Sequence, residues 1–417
     1  MSGQGWLSAT LGDNEIACTA SGGTPDRSHP EYFGGQIPWV KSGELNDTRI
    51  FATEESLTNL GLEQSSARVF PHGTLLIALY GATAGKTGIL DIDASTNQAV
   101  CAIFPRNGSF ESEFLQYQLI HLRPKILNAR TGGAQPNISQ RVLATLEVLL
   151  PPLPEQRAIV RVLQTVQNAK EARQRELSLE RERKSALMEH LFTRGTRGGA
   201  TKQTPIGEVP ESWGLATLES LYETQLGKML SQKAHRGANP KPYLRNANVQ
   251  WGAVDVTDLY EMDFSEAEQK KFLLKQGDLL ICEGGEIGRT ALWKAELPEC
   301  YFQKAIHRAR PRSTDVVPEF LRYWMEWGFR LADVYGVTGT QTTIAHLPQE
   351  KLAQLKIPNP PKSVQEEIAT ALSASDTVIC AVQDEIALLD EFFAAILQGL
   401  MTGDLRCDAL LNGVRIQ

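Results

Sequence analysis

The sequence predicts an α+β protein in which two copies of one mixed globular unit are joined by two long antiparallel coiled-coil helices. Three observations predict it. Glu155–Arg194 and Gln365–Thr402 match at an offset of 209 residues, and both carry heptad spacing. The segments before them repeat with a period of about 207 residues. Each helix is preceded by a proline cluster, Pro151–Pro154 and Pro358–Pro361, which suits the first turn of a helix.

The heptad seam of the C-terminal copy runs through Ile368, Leu372, Ile379, Ile386, Leu389, Phe393, Ile396 and Leu400. In the central copy it runs through Ile159, Leu163, Leu177, Leu187 and Leu191, with apolar ends and a charged middle that includes Lys170, Arg173, Glu180 and Lys184. A helix of about 40 residues spans roughly 60 Å. A helix with one apolar stripe needs a partner, and this chain supplies one.

The repeat is legible element by element. Trp6 with Thr10-Leu11 returns as Trp213 with Thr217-Leu218. The strand-like Ile37–Ser42 returns as Lys241–Asn246. The buried-strand pattern of Gly73–Leu79 returns as Gly277–Cys282, and the glycine loop Gly81–Gly88 returns as Gly284–Thr290. A short strand is expected around Gln98 and again around Gln303. An aromatic-rich helix is expected over Phe114–Leu122 and over Phe320–Leu331, followed by Thr-Gly loops at Thr131–Ser139 and Thr338–His346. Strands mixed with helices and then a helical arm give an α+β unit of about 150 residues. Arg194–Ser212 is rich in Gly, Thr and Pro and reads as an exposed connection. The expected divisions are residues 1–152, the central helix 153–196, residues 197–361, and the C-terminal helix and tail 362–417.

A chain of 417 residues has room for two or three domains, and 22% charged residues with 42% hydrophobic ones is ordinary for a globular protein. No run of 18 apolar residues predicts a membrane span, and the N-terminus lacks the basic-then-apolar pattern of a signal peptide, so a cytoplasmic protein is expected. The six cysteines form no CxxC pair and the seven histidines no ligand cluster, so neither disulfides nor a metal site is expected. The net charge of −7 counts against nucleic-acid binding only as a total, because local patches decide it.

Gly81–Thr87 tempts as a P-loop, with Lys86 as the phosphate-binding lysine of an ATPase. The motif is short by one residue, since Gly81 and Gly85 enclose three, and the repeat has Arg289 in place of Lys86. Two readings stay open: a glycine turn between strands, or a turn presenting Lys86 and Arg289 to a phosphate backbone. Lys41-Ser42 and Arg245-Asn246 end their strands either as solvated termini or as side chains suited to base edges. The same pair of readings applies to Thr131, Gln135 and Asn137, and to Thr340 and Gln341. Between repeats the framework agrees while these loops differ in chemistry, the pattern of two modules reading different half-sites. No nucleophile elbow, nuclease motif or adenine-methyltransferase motif is present, so no catalytic site is expected.

These residues resemble a known family. The proline turn into Glu155-Gln156-Arg157-Ala158-Ile159 is similar to the opening of a long helix in specificity subunits of type I restriction-modification systems. Gly22-Gly23-Thr24-Pro25 before Ile37-Pro38-Trp39 resembles the start of their target-recognition domains, and Leu400–Arg406 resembles their last helix ending. In the second copy Lys228-Met229 replaces the Thr-Pro pair. The resemblance implies two target-recognition domains, each reading half of a split asymmetric site in double-stranded DNA, with Thr24 and Lys228 among the contacting positions. It implies paired helices that set the spacer and dock two methyltransferase subunits, which bind S-adenosylmethionine. It also implies restriction or translocase subunits that use ATP and Mg. This chain would bind no cofactor and do no chemistry. A P-loop-like ATPase using Lys86 and a coiled-coil adaptor that binds only protein are the alternatives.

Overall fold

A computed structural model describes residues 5–128, 138–230, 239–336 and 346–407. The chain divides into two compact units, Met1–Gln174 with Glu385–Gln417, and Arg175–Asp384. Each long helix therefore contributes to both. The central helix is Leu153–Arg194 and the C-terminal helix is Lys362–Thr402.

In the first unit, Ala17–Ser21, Val100–Pro105, Leu75–Ala78, Thr87–Leu90 and Thr48–Ile50 form a five-stranded sheet in that order. Leu75–Ala78 is buried on both faces, and alternation along it divides its side chains between two cores. Leu75 and Ile77 face a core built with Phe114, Tyr117 and Leu119 of the helix Ser112–Asn128, while Leu76 and Ala78 face Val40, Leu45 and Phe70. A second sheet places Phe33–Val40 between Glu55–Leu57 and Ala94–Thr96, with Val69–Phe70 at its edge. Leu7–Thr10 pairs antiparallel with Glu147–Leu150 and delivers the chain to the proline turn.

The second unit repeats this plan with shorter sheets. Tyr222–Leu226, Ile306–Pro311, Leu279–Cys282 and Thr290–Leu292 form the main sheet, and Tyr260–Asp263, Pro240–Leu244 and Tyr301–Phe302 the other. Leu279 and Ile281 face one core and Leu280 and Cys282 another, as their repeat partners do. Gly214–Thr217 pairs with Lys356–Asn359.

Both long helices begin in the same way. Gln156 is fully buried; its amide donates to Pro151 O at 2.9 Å and its oxygen accepts from Glu111 N at 2.9 Å. Its repeat partner Gln365 donates to Pro360 O at 2.9 Å and accepts from Val317 N at 2.9 Å. One side chain thus locks the proline turn to the loop before the preceding helix.

Within the first unit, Arg173 Nε lies 2.8 Å from Glu385 and Lys170 pairs with Asp390, so the helix segments run antiparallel there. Ile159, Leu163, Ile396 and Leu400 join its core. Within the second, Lys184 pairs with Asp376 at 2.7 Å, and Leu191, Ile368 and Leu372 are in the core. Leu177, Leu187, Ile379, Ile386, Leu389 and Phe393 are half-buried.

Several local expectations are corrected. Arg194–Ser212 is more than an exposed connection: Thr201–Thr204 and Gly207–Pro210 form a hairpin that buries Ile206 and Val209 beside Phe192 and Trp213. Gly207 sits at φ +94°, which the turn requires and glycine supplies. Gln98 lies in a turn between strands, whereas Gln303 forms a parallel bridge with Lys228 directly after the strand Tyr301–Phe302. The helix expected over Phe320–Leu331 is α-helical over Pro318–Met325 and continues as a π-helix over Glu326–Leu331. The central helix ends at Arg194, where the helical pattern of the sequence ends.

Candidate nucleic-acid interface

The glycine loops are hairpin turns. In the first unit the turn joins the antiparallel strands Leu75–Ala78 and Thr87–Leu90, with Gly81 at φ +89° and Gly85 at φ +80°. A P-loop wraps phosphates because a helix follows it; here a strand follows. Lys86 Nζ lies 3.4 Å from both Asp47 Oδ2 and Asn46 Oδ1. The ATPase reading of Lys86 is thereby overturned. Arg123 pairs with the same Asp47 and donates to Gly85 O at 2.8 Å, so the turn is pinned from behind.

The loop after Phe33–Val40 is latched to this turn by Thr83 Oγ1, which donates to Ser42 O at 2.7 Å. Lys41, Ser42 and Lys86 are therefore brought to one junction. Lys41 Nζ is held by Glu54 at 2.7 Å and Glu55 at 3.1 Å, and these bonds raise its pKa. Arg27 pairs with Glu55 at 2.7 Å, which draws that carboxyl below its ordinary value, and its guanidinium lies over Phe33.

The second unit builds the same junction differently. Asn246 Nδ2 donates to Gly284 O at 2.9 Å, and Arg289 Nη2 donates to Asn246 O at 2.7 Å. Arg245 lies 3.6 Å above the Tyr260 ring and pairs with Asp258 at 2.6 Å. Arg245, Asn246 and Arg289 thus converge, as Lys41, Ser42 and Lys86 do.

Thr24 hydrogen-bonds Gln98, beside Gly23, whose carbonyl accepts from Trp39 Nε1 at 3.1 Å. Lys228 bridges the backbone of Gln303, and its Nζ lies 2.7 Å from Glu268 and 4.8 Å from the centre of the Phe264 ring. Thr131, Gln135, Asn137, Thr340 and Gln341 lie outside the described residues. The carboxylates that hold these cations, Glu54, Glu55, Asp258 and Glu268, are absent from the sequence reading, because nothing local marks an acid as the partner of a distant base. Gln156 and Gln365 were findable, since they match at the helix offset.

Among the described residues no cluster of His, Cys, Asp or Glu could hold a metal ion, and no helix is long and apolar enough to cross a membrane. Cys18, Cys101, Cys282, Cys300 and Cys380 are free thiols, and burial pushes Cys101 and Cys300 up to about 12, where they are inert.

Two copies of one α/β unit, each with a latched loop-and-turn junction of paired cations and carboxylates, define a duplicated recognition protein. The family described as the type I restriction modification DNA specificity domain matches residues 5–181 and again residues 210–388. The chain belongs to that family. It is 23% identical over 407 residues to the type I restriction enzyme MjaIX specificity subunit of Methanocaldococcus jannaschii, covering 95% of this chain and 93% of that one. It is 21% identical over 392 residues to the EcoKI specificity subunit of Escherichia coli, covering 88% and 82%. The fold is similar to the S subunit of a type I restriction-modification system from M. genitalium, with TM-score 0.57 and 13% identity over 95% of this chain and 96% of that one. It is also similar to a chain from a structure on complex assembly and conformational transition of the type I R-M system, with TM-score 0.65 and 17% identity over 97% and 100%.

Proposed function

We propose that each unit reads one half of a bipartite, asymmetric target in double-stranded DNA. The first unit reads through the junction of Lys41, Ser42 and Lys86 with Thr24, Thr131, Gln135 and Asn137. The second reads through Arg245, Asn246 and Arg289 with Lys228, Thr340 and Gln341. The carrying observation is that one latch occurs twice with different chemistry: a threonine hydroxyl on the Ser42 carbonyl in one unit, and the Asn246 amide on the Gly284 carbonyl in the other. The carboxylates beside Lys41 and Arg245 then act as gates. A correct DNA edge must offer these cations better acceptors than Glu54, Glu55 and Asp258 do, and a wrong one leaves them paired at home.

The long helices act as an antiparallel coiled-coil pair that fixes the spacer between half-sites and docks two methyltransferase subunits. Those subunits bind S-adenosylmethionine and modify adenine; restriction subunits with ATP and Mg join them in the cytoplasm. Half-sites on one face of DNA recur at about one helical turn, so a stiff spacer suits the task. The chain itself carries no reaction.

Exchanging residues 1–152 for the matching segment of a relative, and mapping methylated adenines in the host genome, tests this. One half of the motif changes and the other half and the spacer stay. A motif that changes in both halves or in neither sinks the assignment.

A further inference from the structure

The two units contain the same side-chain station built from opposite chemistry. In the first, Tyr117 Oη donates to Gln167 Oε1 at 2.6 Å, and Phe393 packs on Tyr117 with ring centroids 6.2 Å apart. In the second, Tyr323 Oη donates to Asp376 Oδ2 at 2.7 Å, and Lys184 Nζ lies 5.4 Å from the Tyr323 centroid. Tyr117 and Tyr323 are repeat partners; so are Gln167 and Asp376, and so are Phe393 and Lys184. The helices also exchange roles. The central helix gives the amide in one unit and the cation in the other; the C-terminal helix gives the aromatic ring in one and the carboxylate in the other.

In the ionic station Lys184, Arg322 and Glu326 are buried and Asp376 is half-buried. Lys184 lies 2.7 Å from Asp376 and 3.1 Å from Glu326, and Arg322 lies 2.8 Å from Asp376. Gln116 and Ile120, the repeat partners of Arg322 and Glu326, carry no charge. The asymmetry extends along the helices. The central helix has nine Lys and Arg against six Asp and Glu, whereas the C-terminal helix has one Lys against seven acids. Lys170 meets Asp390, whose repeat partner is Arg181.

A duplicated chain has an alternative to its native pairing, in which like helices from two copies pair. We propose that these substitutions make the halves self-sorting, so that the surface of each long helix accepts the other helix and rejects a second copy of itself. Two central helices would set Lys170 against Arg181 and bury Lys184 beside Tyr117 and Gln167 with no carboxylate. Two C-terminal helices would put Phe393 where Lys184 belongs, leaving Asp376 and Glu326 without that cation, and would set Asp390 against Ile379. The first mismatch strands a cation where it is costly; the second takes one of the cations from Asp376 and Glu326 and leaves them Arg322. Repulsion of the wrong partner is as much a part of specificity as attraction of the right one.

This proposal rests on contacts inside each unit and not on DNA reading, so failure of DNA binding leaves it intact. The test uses the full chain with a protease site at the exposed Gly198-Gly199. The folded protein is nicked, unfolded in urea, refolded and counted by native mass spectrometry. Unlike pairs are expected to exceed like pairs at least roughly tenfold, the scale set by a buried charge without its partner; equal amounts overturn the proposal. Lys170→Glu is expected to raise the share of central–central pairs several-fold, since it repels Asp390 and attracts Arg181 of a second copy, and adding Asp390→Lys lowers that share again. Equal shares across these variants also overturn it. Should the nicked chain not refold, the intact chain is refolded at rising concentration: it stays monomeric, and dimers cross-linked through two central helices overturn the proposal.

Discussion

Arg406 Nη1 lies 2.8 Å from Glu155 Oε1, joining the segment after the last helix to the first turn of the central one. The other oxygen of Glu155 accepts from Trp6 Nε1 at 3.1 Å, and the Arg406 guanidinium sits 5.3 Å from the Trp6 ring. Three distant segments thus close the first unit on one carboxylate. Glu155→Ala should lower its stability by about 1–2 kcal/mol, discounted because the pair is partly solvated. Urea unfolding of the variant beside the wild type, followed by far-ultraviolet circular dichroism, checks it.

Lys184→Met removes one of the cations that balance Glu326 and Asp376 and leaves Arg322 on both. The loss should exceed about 1 kcal/mol and fall short of the roughly 3–5 kcal/mol of a buried charge left wholly unpaired. Replacing Phe393, the repeat partner, with Met should cost about 1 kcal/mol or less, as exchanges between apolar residues of similar size do. Denaturant midpoints of the two variants should separate clearly, and equal losses would contradict the difference between the stations.

Tyr323→Phe and Tyr117→Phe remove the same hydroxyl from paired sites. The first deletes a bond to a charged acceptor, for about 1.5–3 kcal/mol, and the second a bond to a neutral one, for about 0.5–1.5 kcal/mol. Thermal unfolding of both variants ranks them.

Asp376 gives the second unit an acid dependence. Burial alone would raise its pKa, but Lys184, Arg322 and the Tyr323 hydroxyl outweigh burial and hold it below the ordinary value. A carboxyl depressed in the folded state stabilises above its unfolded pKa, and that contribution disappears as pH falls through the folded one. The stability gap between the wild type and Asp376→Asn should therefore be full at neutral pH and close below about pH 4, where unfolded aspartate takes up its proton. A gap that widens on acidification would contradict this.

Lys86→Ala tests the phosphate role of the first glycine turn. Binding of the assembled complex to target DNA should weaken alike on all sequences, and the slope of log affinity against log salt should fall by about one. An unchanged slope would leave Lys86 as a purely internal partner of Asp47.

The duplication and the two long helices were readable from spacing, because periodicity is local and survives in one dimension. Leu75–Ala78 and Leu279–Cys282 announced themselves as apolar runs for the same reason. The hairpin at Thr201–Pro210 did not, since its Gly, Thr and Pro content suits a linker and only burial of Ile206 and Val209 makes it structure. The π-helical continuation over Glu326–Leu331 was equally hidden.

By itself the sequence determined that one unit is used twice, that two long helices follow from it, and which family it resembles. The tertiary structure alone decided which acid holds which base: Glu54 and Glu55 on Lys41, Asp258 on Arg245, and Glu326 and Asp376 on Lys184. The reason is physical. Helix and strand preferences act over a few residues, whereas an ion pair depends on distance and burial, which exist only after the chain has brought remote segments together.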